Sequence, residues 1–403
     1  MLISIFNQAI SSLGNFIFSL FLIRILEPSD FGLYSIGFAI TLAIGSFTQG
    51  LFLIQMVVNY HTKDTTEHEM FPTNILGLVL LFWIGLAIVF TVISVTVAPI
   101  YGLGNFSLVL AVSTGAFLVK EFFVRYAFMR ETHKYQVLFI HGALVSVLFL
   151  GAAIFNNNLG LVGSIFLYGA AHIVASAVGY ALSDIKVGNF KISLIIATFS
   201  DVASGGMWAA LSSVIYSLRA NAHTIIVAAM LGTTDVAQIN ATRVLVTPAT
   251  LLIPTLSNLA LPRFSRIMVK DGVPALMQYA RNTILFISAV AFAYSVILIA
   301  TWPFVASIIL GDEYANSRGL VTLWCIYAIT LGLRSGMEWS SQAMRLFKQQ
   351  TKVYTVGAVV TLVLVFSLTK EFSVYGAVYG AISGELIVAA LLALILARAK
   401  KYE

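Results

Sequence analysis

The stretch ILGLVLLFWIGLAIVFTVISVTV runs from Ile75 to Val97 without a single charged residue. About 20 consecutive apolar residues cross a bilayer as a helix, because each backbone N–H and C=O is then satisfied inside the segment. A membrane β-strand would alternate apolar and polar side chains over roughly ten residues. Nothing alternates here, so the stretch reads as a transmembrane helix and a β-barrel is excluded.

The same pattern extends along the chain in both directions. Hydropathy, interrupted by Gly, Pro and charge, predicts twelve spans at residues 2–26, 33–58, 73–99, 106–129, 135–156, 159–183, 199–230, 236–261, 280–310, 317–344, 352–369 and 373–397. The seventh is long enough to begin as an interfacial stretch near Asp201. Connections stay short, so no soluble domain interrupts the spans. Composition agrees: of 403 residues, 59% are hydrophobic and only 10% charged, against about a quarter charged in soluble domains. The mean hydropathy is +0.95. Leu2 to Leu26 lacks a basic flank and a small-residue cleavage site, so it is expected to be the first span rather than a removed signal. The lone Cys325 allows no intrachain disulfide and no multi-cysteine metal site, and reads as a core residue.

Charge fixes an orientation. The loops after spans two, four, six, eight and ten, with the C-terminal tail, carry fifteen Lys and Arg; the remaining loops carry three, Arg24, Arg318 and Lys370. Positive charge stays on the cytoplasmic side. Both termini are therefore expected in the cytoplasm, with the chain in a bacterial inner membrane. The net charge of +6 is scattered over short loops, so the partner it implies is the lipid bilayer and not nucleic acid.

The two halves resemble each other. Leu26-Glu27-Pro28-Ser29-Asp30-Phe31-Gly32 is echoed by Leu231-Gly232-Thr233-Thr234-Asp235-Val236-Ala237, 205 residues later. Asn74 parallels Asn282, Met129-Arg130 parallels Met344-Arg345, and the glycines at Gly163–Gly169 parallel those at Gly376–Gly380. Six spans per half is even, so both halves share one orientation. The expected fold is all-α and polytopic, with two pseudo-symmetric six-helix lobes, 1–190 and 191–403, around a central cavity.

A polar stripe supports the pairing. Asn7, Ser11, Asn15 and Ser19 fall on one face of the first span, and Ser212, Tyr216 and Thr224 on the corresponding face of the seventh, beside Arg219 and His223. Such faces point at protein or at a water-filled cavity; packing between helices through small polar groups would produce them too.

Eight fully charged side chains sit inside the spans: Lys120, Glu121, Arg125, Arg219, Arg243, Arg334, Glu338 and Glu385. Each costs roughly 2.5–3.5 kcal/mol at a helix centre, so each needs a partner or a purpose. Glu121 with Arg125, and Arg334 with Glu338, are spaced for i,i+4 ion pairs and lie 213 residues apart with signs exchanged. They are either structural or contacts of a gate. Lys120, Arg219 and Arg243 have no carboxylate at helical spacing. With His223 they suggest a cationic interior suited to an anionic head group, since guanidinium forks fit phosphate oxygens. A drug exporter working on cations would instead show buried carboxylates. His141 and His172 read as packed polar residues. The chain has no Walker motif, no HExxH and no GxSxG in a strand–helix context. No catalytic residue, cofactor or metal is expected, and the chain is not expected to be an enzyme.

Asn7-Gln8 through Gly14-Asn15-Phe16 to Arg24-Ile25-Leu26-Glu27-Pro28-Ser29-Asp30-Phe31-Gly32-Leu33-Tyr34 resembles the N-terminal signature of polysaccharide flippases. These are O-antigen translocases of the Wzx type, in the multidrug/oligosaccharidyl-lipid/polysaccharide exporter superfamily. Asn221 through Leu231-Gly232, with Pro254 and Pro262, resembles the family's second half, although Ala229 stands where the first half has Arg24. The resemblance implies a V-shaped cavity worked by alternating access. It also implies a cargo, undecaprenyl pyrophosphate carrying a short oligosaccharide, moved from the cytoplasmic to the periplasmic leaflet. Polysaccharide polymerase machinery is a candidate partner, and the flippase would act as a monomer. On this reading Arg219, Arg243, Lys120, Arg125, Asn7, Asn15 and His223 bind substrate, and Glu121, Arg334 and Glu338 form gate contacts or ion pairs. The alternative is a cation-coupled multidrug exporter requiring Glu121, Glu338 or Glu385.

Overall fold

A computed structural model describes residues 2–60, 65–96, 103–130, 135–155, 159–185 and 191–399. Among them the ordered elements are helical throughout, and eight helices are long and apolar enough to cross a membrane, or nine if a bent pair counts as one span. The further, shorter or broken helices among the described residues are consistent with the twelve expected spans. Their apolar outer faces meet lipid: Leu81, Ile84, Ile88, Val92 and Val95 recur every three or four residues on one helix, and Val95 is 71% exposed. In water a stripe of that kind would be an aggregation site. This is a multi-pass membrane protein.

The chain divides into two compact units. One contains Phe6–Phe18 and Gly37–Ser217, and the other Met1–Ile5, Ser19–Ile36 and Leu218–Glu403. These units follow spatial proximity, whereas lobes of 1–190 and 191–403 follow the sequence repeat and stay a proposal.

In the first unit lie the middle of α1 (Leu2–Ile25), most of α2 (Pro28–Thr48) and α3 (Ile54–Tyr60). They are followed by α4 (Thr65–Thr96), α5 (Gly104–Met129), α6 (Gln136–Phe155), α7 (Leu161–Ala181) and nearly all of α8 (Ile192–Ala220). Lipid offers no hydrophobic drive between helices, so association rests on small residues and interhelical hydrogen bonds. Gly115 leaves room for the Trp83 indole, whose Nε1 donates to Ala111 O at 3.0 Å. Thr41 and Thr114 share a hydrogen bond of 2.9 Å, and Asn74 Nδ2 donates to Thr198 Oγ1 at 3.1 Å. Between α2 and α3 the helix widens into a π turn, Gln49–Leu53. A Cβ on Gly50 in that turn would stand 2.6 Å from Ala210 N, so α8 packs there backbone to backbone. Gly206 sits equally tight on Leu51 O. Beside this contact α8 bends by 67°, between Ala203 and Gly205, where Ser204-Gly205-Gly206 offers the small residues that kinks use.

The second unit holds the end of α8, α9 (Ala222–Met230), α10 (Thr233–Val244), α11 (Thr247–Thr250) and α12 (Leu252–Ala300). After these come α13 (Trp302–Val305), α14 (Arg318–Ala343) and α15 (Phe347–Ala399). Two of these helices are hairpins. α12 breaks at Gly272, where φ is 76°, and folds back so that the Phe264 and Tyr279 rings meet at 5.0 Å. α15 breaks at Ser373, where φ is 55°. Beyond it Gly376, Gly380 and Gly384 press in turn on Leu368 O, Val365 N and Thr361, while Gly357 presses back on Val388. That antiparallel register turns one long apolar run into the last two spans. The echoed turns of the sequence repeat also meet: a Cβ on Gly32 would overlap Thr233 O.

Candidate functional site

The last turn of α8, the middle of α14 and the second arm of α15 bring four full charges together within the second unit, and the first arm of α15 adds Tyr354. Arg219 Nη1 lies 2.5 Å from Glu385 Oε1, and Arg334 Nε lies 2.7 Å from Glu385 Oε2. Arg334 Nη1 also reaches Glu338 Oε2 at 2.5 Å, the i,i+4 pair expected from spacing. Tyr354 serves both guanidiniums. Arg334 Nη1 donates to its hydroxyl at 3.1 Å, and its ring centroid is 5.7 Å from Arg219 Cζ and 5.9 Å from Arg334 Cζ. Gln342 Nε2 donates to Glu338 Oε1 at 3.3 Å. The Arg219, Arg334 and Glu385 side chains are 3–5% exposed. The cluster is charge-balanced, two guanidiniums against two carboxylates, so Arg219 does not stand in a purely cationic interior.

A second group forms where α9 meets α10. Arg243 Nη1 is 3.1 Å from His223 Nε2, and its Cζ lies 5.7 Å from the Trp324 ring centroid. His223 contacts the same indole edge-to-face at 5.0 Å. A guanidinium has no acceptor, so Arg243 donates and His223 presents Nε2 as a neutral imidazole. Trp324 Nε1 is fixed by Ile239 O at 3.1 Å, and Thr224 donates to Asn240 Oδ1 at 3.2 Å.

The first unit carries a related cluster on α5, α6 and α7. Lys120 is buried and makes its ion pair with its chain neighbour Glu121. Spacing had suggested Arg125, which stands one turn further on, half-buried. Glu121 is within electrostatic reach of Lys120, Arg125 and His141, and His172 within reach of Lys120, Glu121 and His141. His172 Nδ1 is 2.8 Å from Tyr168 O, and its ring lies 5.4 Å from Phe117 and 4.2 Å from Tyr168. Adding 213 to Glu121, Arg125, His141 and His172 gives Arg334, Glu338, Tyr354 and Glu385. One repeat thus places a four-position polar constellation in each unit.

Of the polar stripe, the side chain of Asn7 lies outside the described residues. Asn15 is half-buried and its Oδ1 has no hydrogen-bond partner among them. Arg24, counted above as a loop cation, donates from Nη1 to Ser307 O at 3.3 Å. No three His, Cys, Asp or Glu side chains among the described residues gather as a metal site. Sequence reasoning named Glu385 only as a drug-exporter residue and missed Tyr354. The signal for both was present, since each stands 213 residues after a buried histidine.

Residues 21–319 match the profile of a family described as "Polysaccharide biosynthesis protein". No curated protein sequence matches the chain. Among solved structures, an inward-facing multidrug resistance MATE family transporter of the MOP superfamily superposes with TM-score 0.78 at 12% identity, over 97% of this chain and 96% of its own. The lipid II flippase MurJ, in an inward closed conformation, gives TM-score 0.73 at 12% identity over 97% and 86%. The MATE transporter VcmN of Vibrio cholerae, in its bent form, gives 0.60 at 14% identity over 98% and 95%. At such identities these likenesses establish a shared fold.

Proposed function

The chain belongs to the polysaccharide biosynthesis protein family, and from that premise we propose that it is a flippase for undecaprenyl-pyrophosphate-linked oligosaccharide, such as an O-antigen repeat unit. It carries the cargo from the cytoplasmic to the periplasmic leaflet of the bacterial inner membrane by alternating access, with both termini in the cytoplasm. It acts as a transporter rather than an enzyme, as a monomer, and hands its product to polysaccharide polymerase machinery.

One observation carries the reading: guanidiniums from two helices converge, buried, on a single anionic group within the membrane-spanning bundle. A diphosphate crossing a bilayer needs such groups, because an unpaired charge there costs several kcal/mol. Arg219 and Arg243 would bind the pyrophosphate, with Lys120, Arg125 and His223 lending positive or polar surface. Asn7 and Asn15 supply amides for sugar hydroxyls, and Glu121, Arg334 and Glu338 form gate contacts or ion pairs. Replacing Arg219 should abolish surface polysaccharide and trap lipid-linked units inside, with normal protein level. Wild-type polysaccharide from that strain would end the assignment.

The buried carboxylate Glu385 favours one other reading, a cation-coupled multidrug exporter. It predicts drug resistance on overexpression, lost with Glu385→Gln. Loss of a polymerase or ligase would instead leave unpolymerised units already outside, where loss of a flippase traps them inside.

A further inference from the structure

We infer that Glu385 is an internal stand-in for the cargo's diphosphate, holding Arg219 and Arg334 until a phosphate displaces it. The inference rests on the flippase reading and adds to it the step by which the site is vacated.

Geometry supplies the first reason. The two oxygens of one carboxylate each take a guanidinium from a different helix, α8 and α14. Two guanidiniums aimed at adjacent oxygens of one anion are the receptor that a phosphate group fits. Arg334 Nε and Glu385 Oε2 are 2.7 Å apart, and a carboxylate offers its two oxygens in one plane. A phosphoryl group has a third oxygen and a tetrahedral spread with which to meet both donors.

Preorganisation supplies the second. Tyr354 lays its ring beside both guanidiniums and accepts from Arg334, and Glu338 keeps Arg334 Nη1. The cations therefore hold their places when Glu385 leaves. Two arginines and Glu338 then remain, a net positive charge ready for an anion.

The sequence repeat supplies the third. The position equivalent to Glu385 in the first unit is His172, which bonds Tyr168 O and packs between aromatic rings. The same helical framework closes there without an acid. Buried ion pairs are also weak stabilisers, often matched or exceeded by apolar side chains of similar volume. Packing alone does not explain a carboxylate at 385.

The test is binding of inorganic pyrophosphate to the full chain in lipid nanodiscs, paired with leaflet-exchange rates for undecaprenyl-pyrophosphate oligosaccharide in vesicles. Glu385→Gln should bind pyrophosphate at least about tenfold tighter than wild type, the gain from removing an internal competitor. It should also move cargo with a lower half-saturation and a lower maximal rate. Glu385→Asp keeps the charge with a shorter reach, and should give a smaller gain; it carries the test if the Gln variant does not fold. Arg219→Gln added to either variant should erase the gain. Arg219-dependent pyrophosphate binding that the position-385 variants leave unchanged or weaken would overturn the exchange and leave the flippase reading standing. No pyrophosphate binding by any variant, with normal cargo movement by Arg219→Gln, would overturn both.

Discussion

Arg219 and Glu385 are 166 residues apart in sequence and 2.5 Å apart in space, with side chains 3% and 4% exposed. This contact joins the end of α8 to the second arm of α15. It separates two roles that mutagenesis usually confounds, holding the fold and serving transport.

Removing one partner of a buried pair leaves a charge stranded, at about 3–5 kcal/mol. Arg219→Ala should therefore lower the melting temperature in detergent as well as stop transport, with the protein still inserted at normal level at growth temperature. The double variant Arg219→Met with Glu385→Leu replaces the pair by apolar groups of similar volume. It should recover the stability of wild type within about 1–2 kcal/mol and still move no cargo. A stable double variant that sustains surface polysaccharide would show that the guanidinium only braces the helices.

The α15 hairpin gives a test of packing. A Cβ at Gly376 would overlap the Leu368 carbonyl oxygen, a backbone atom that cannot turn aside. Gly376→Ala should cost about 1–3 kcal/mol, the usual penalty of overpacking. Nothing stands within 4 Å of a Cβ at Gly85, so Gly85→Ala should be neutral. Thermal melting of both proteins in one detergent measures the difference.

Arg243 is held by His223 and by the face of Trp324. Lysine keeps the charge but loses the planar fork and its stacking. Arg243→Lys should lower transport severalfold, in keeping with a cation–π contribution of about 0.5–2 kcal/mol, while membrane protein level stays normal. Transport equal to wild type would remove Arg243 from the site.

Orientation is testable because the sequence holds a single cysteine, Cys325, which is buried. In a Cys325→Ala background, Lys370→Cys should react with a membrane-impermeant maleimide from the periplasmic side of spheroplasts. Lys270→Cys should react only after the membrane is opened. The reverse pattern would invert the topology read from the loop charges.

How far the sequence disclosed these features depends on distance along the chain. Ile75 to Val97 announces its helix because the membrane's demand on the backbone is local. The Arg334–Glu338 pair is legible for the same reason, since both residues sit on one helix face. Arg219 and Glu385 lie on different helices, and no spacing rule joins them. Lys120 and Glu121 are adjacent, a spacing that helix periodicity does not favour, and so their pairing was overlooked. The π turn at Gln49–Leu53 lies against the α8 backbone, a distant contact that the local sequence does not encode. The 213-residue offset joining His172 to Glu385 and His141 to Tyr354 was readable all along. It acquired meaning once the second unit showed those positions converging.

The central claim is movement of a lipid-linked oligosaccharide, and its most direct measurement uses purified protein in vesicles loaded with undecaprenyl-pyrophosphate oligosaccharide. Leaflet location is read by the cargo's accessibility to an external glycosidase. Wild-type protein should expose inner-leaflet cargo to the enzyme, and Arg219→Met with Glu385→Leu should leave it protected. Protected cargo with wild-type protein, in vesicles that do transport a cationic drug, would contradict the account.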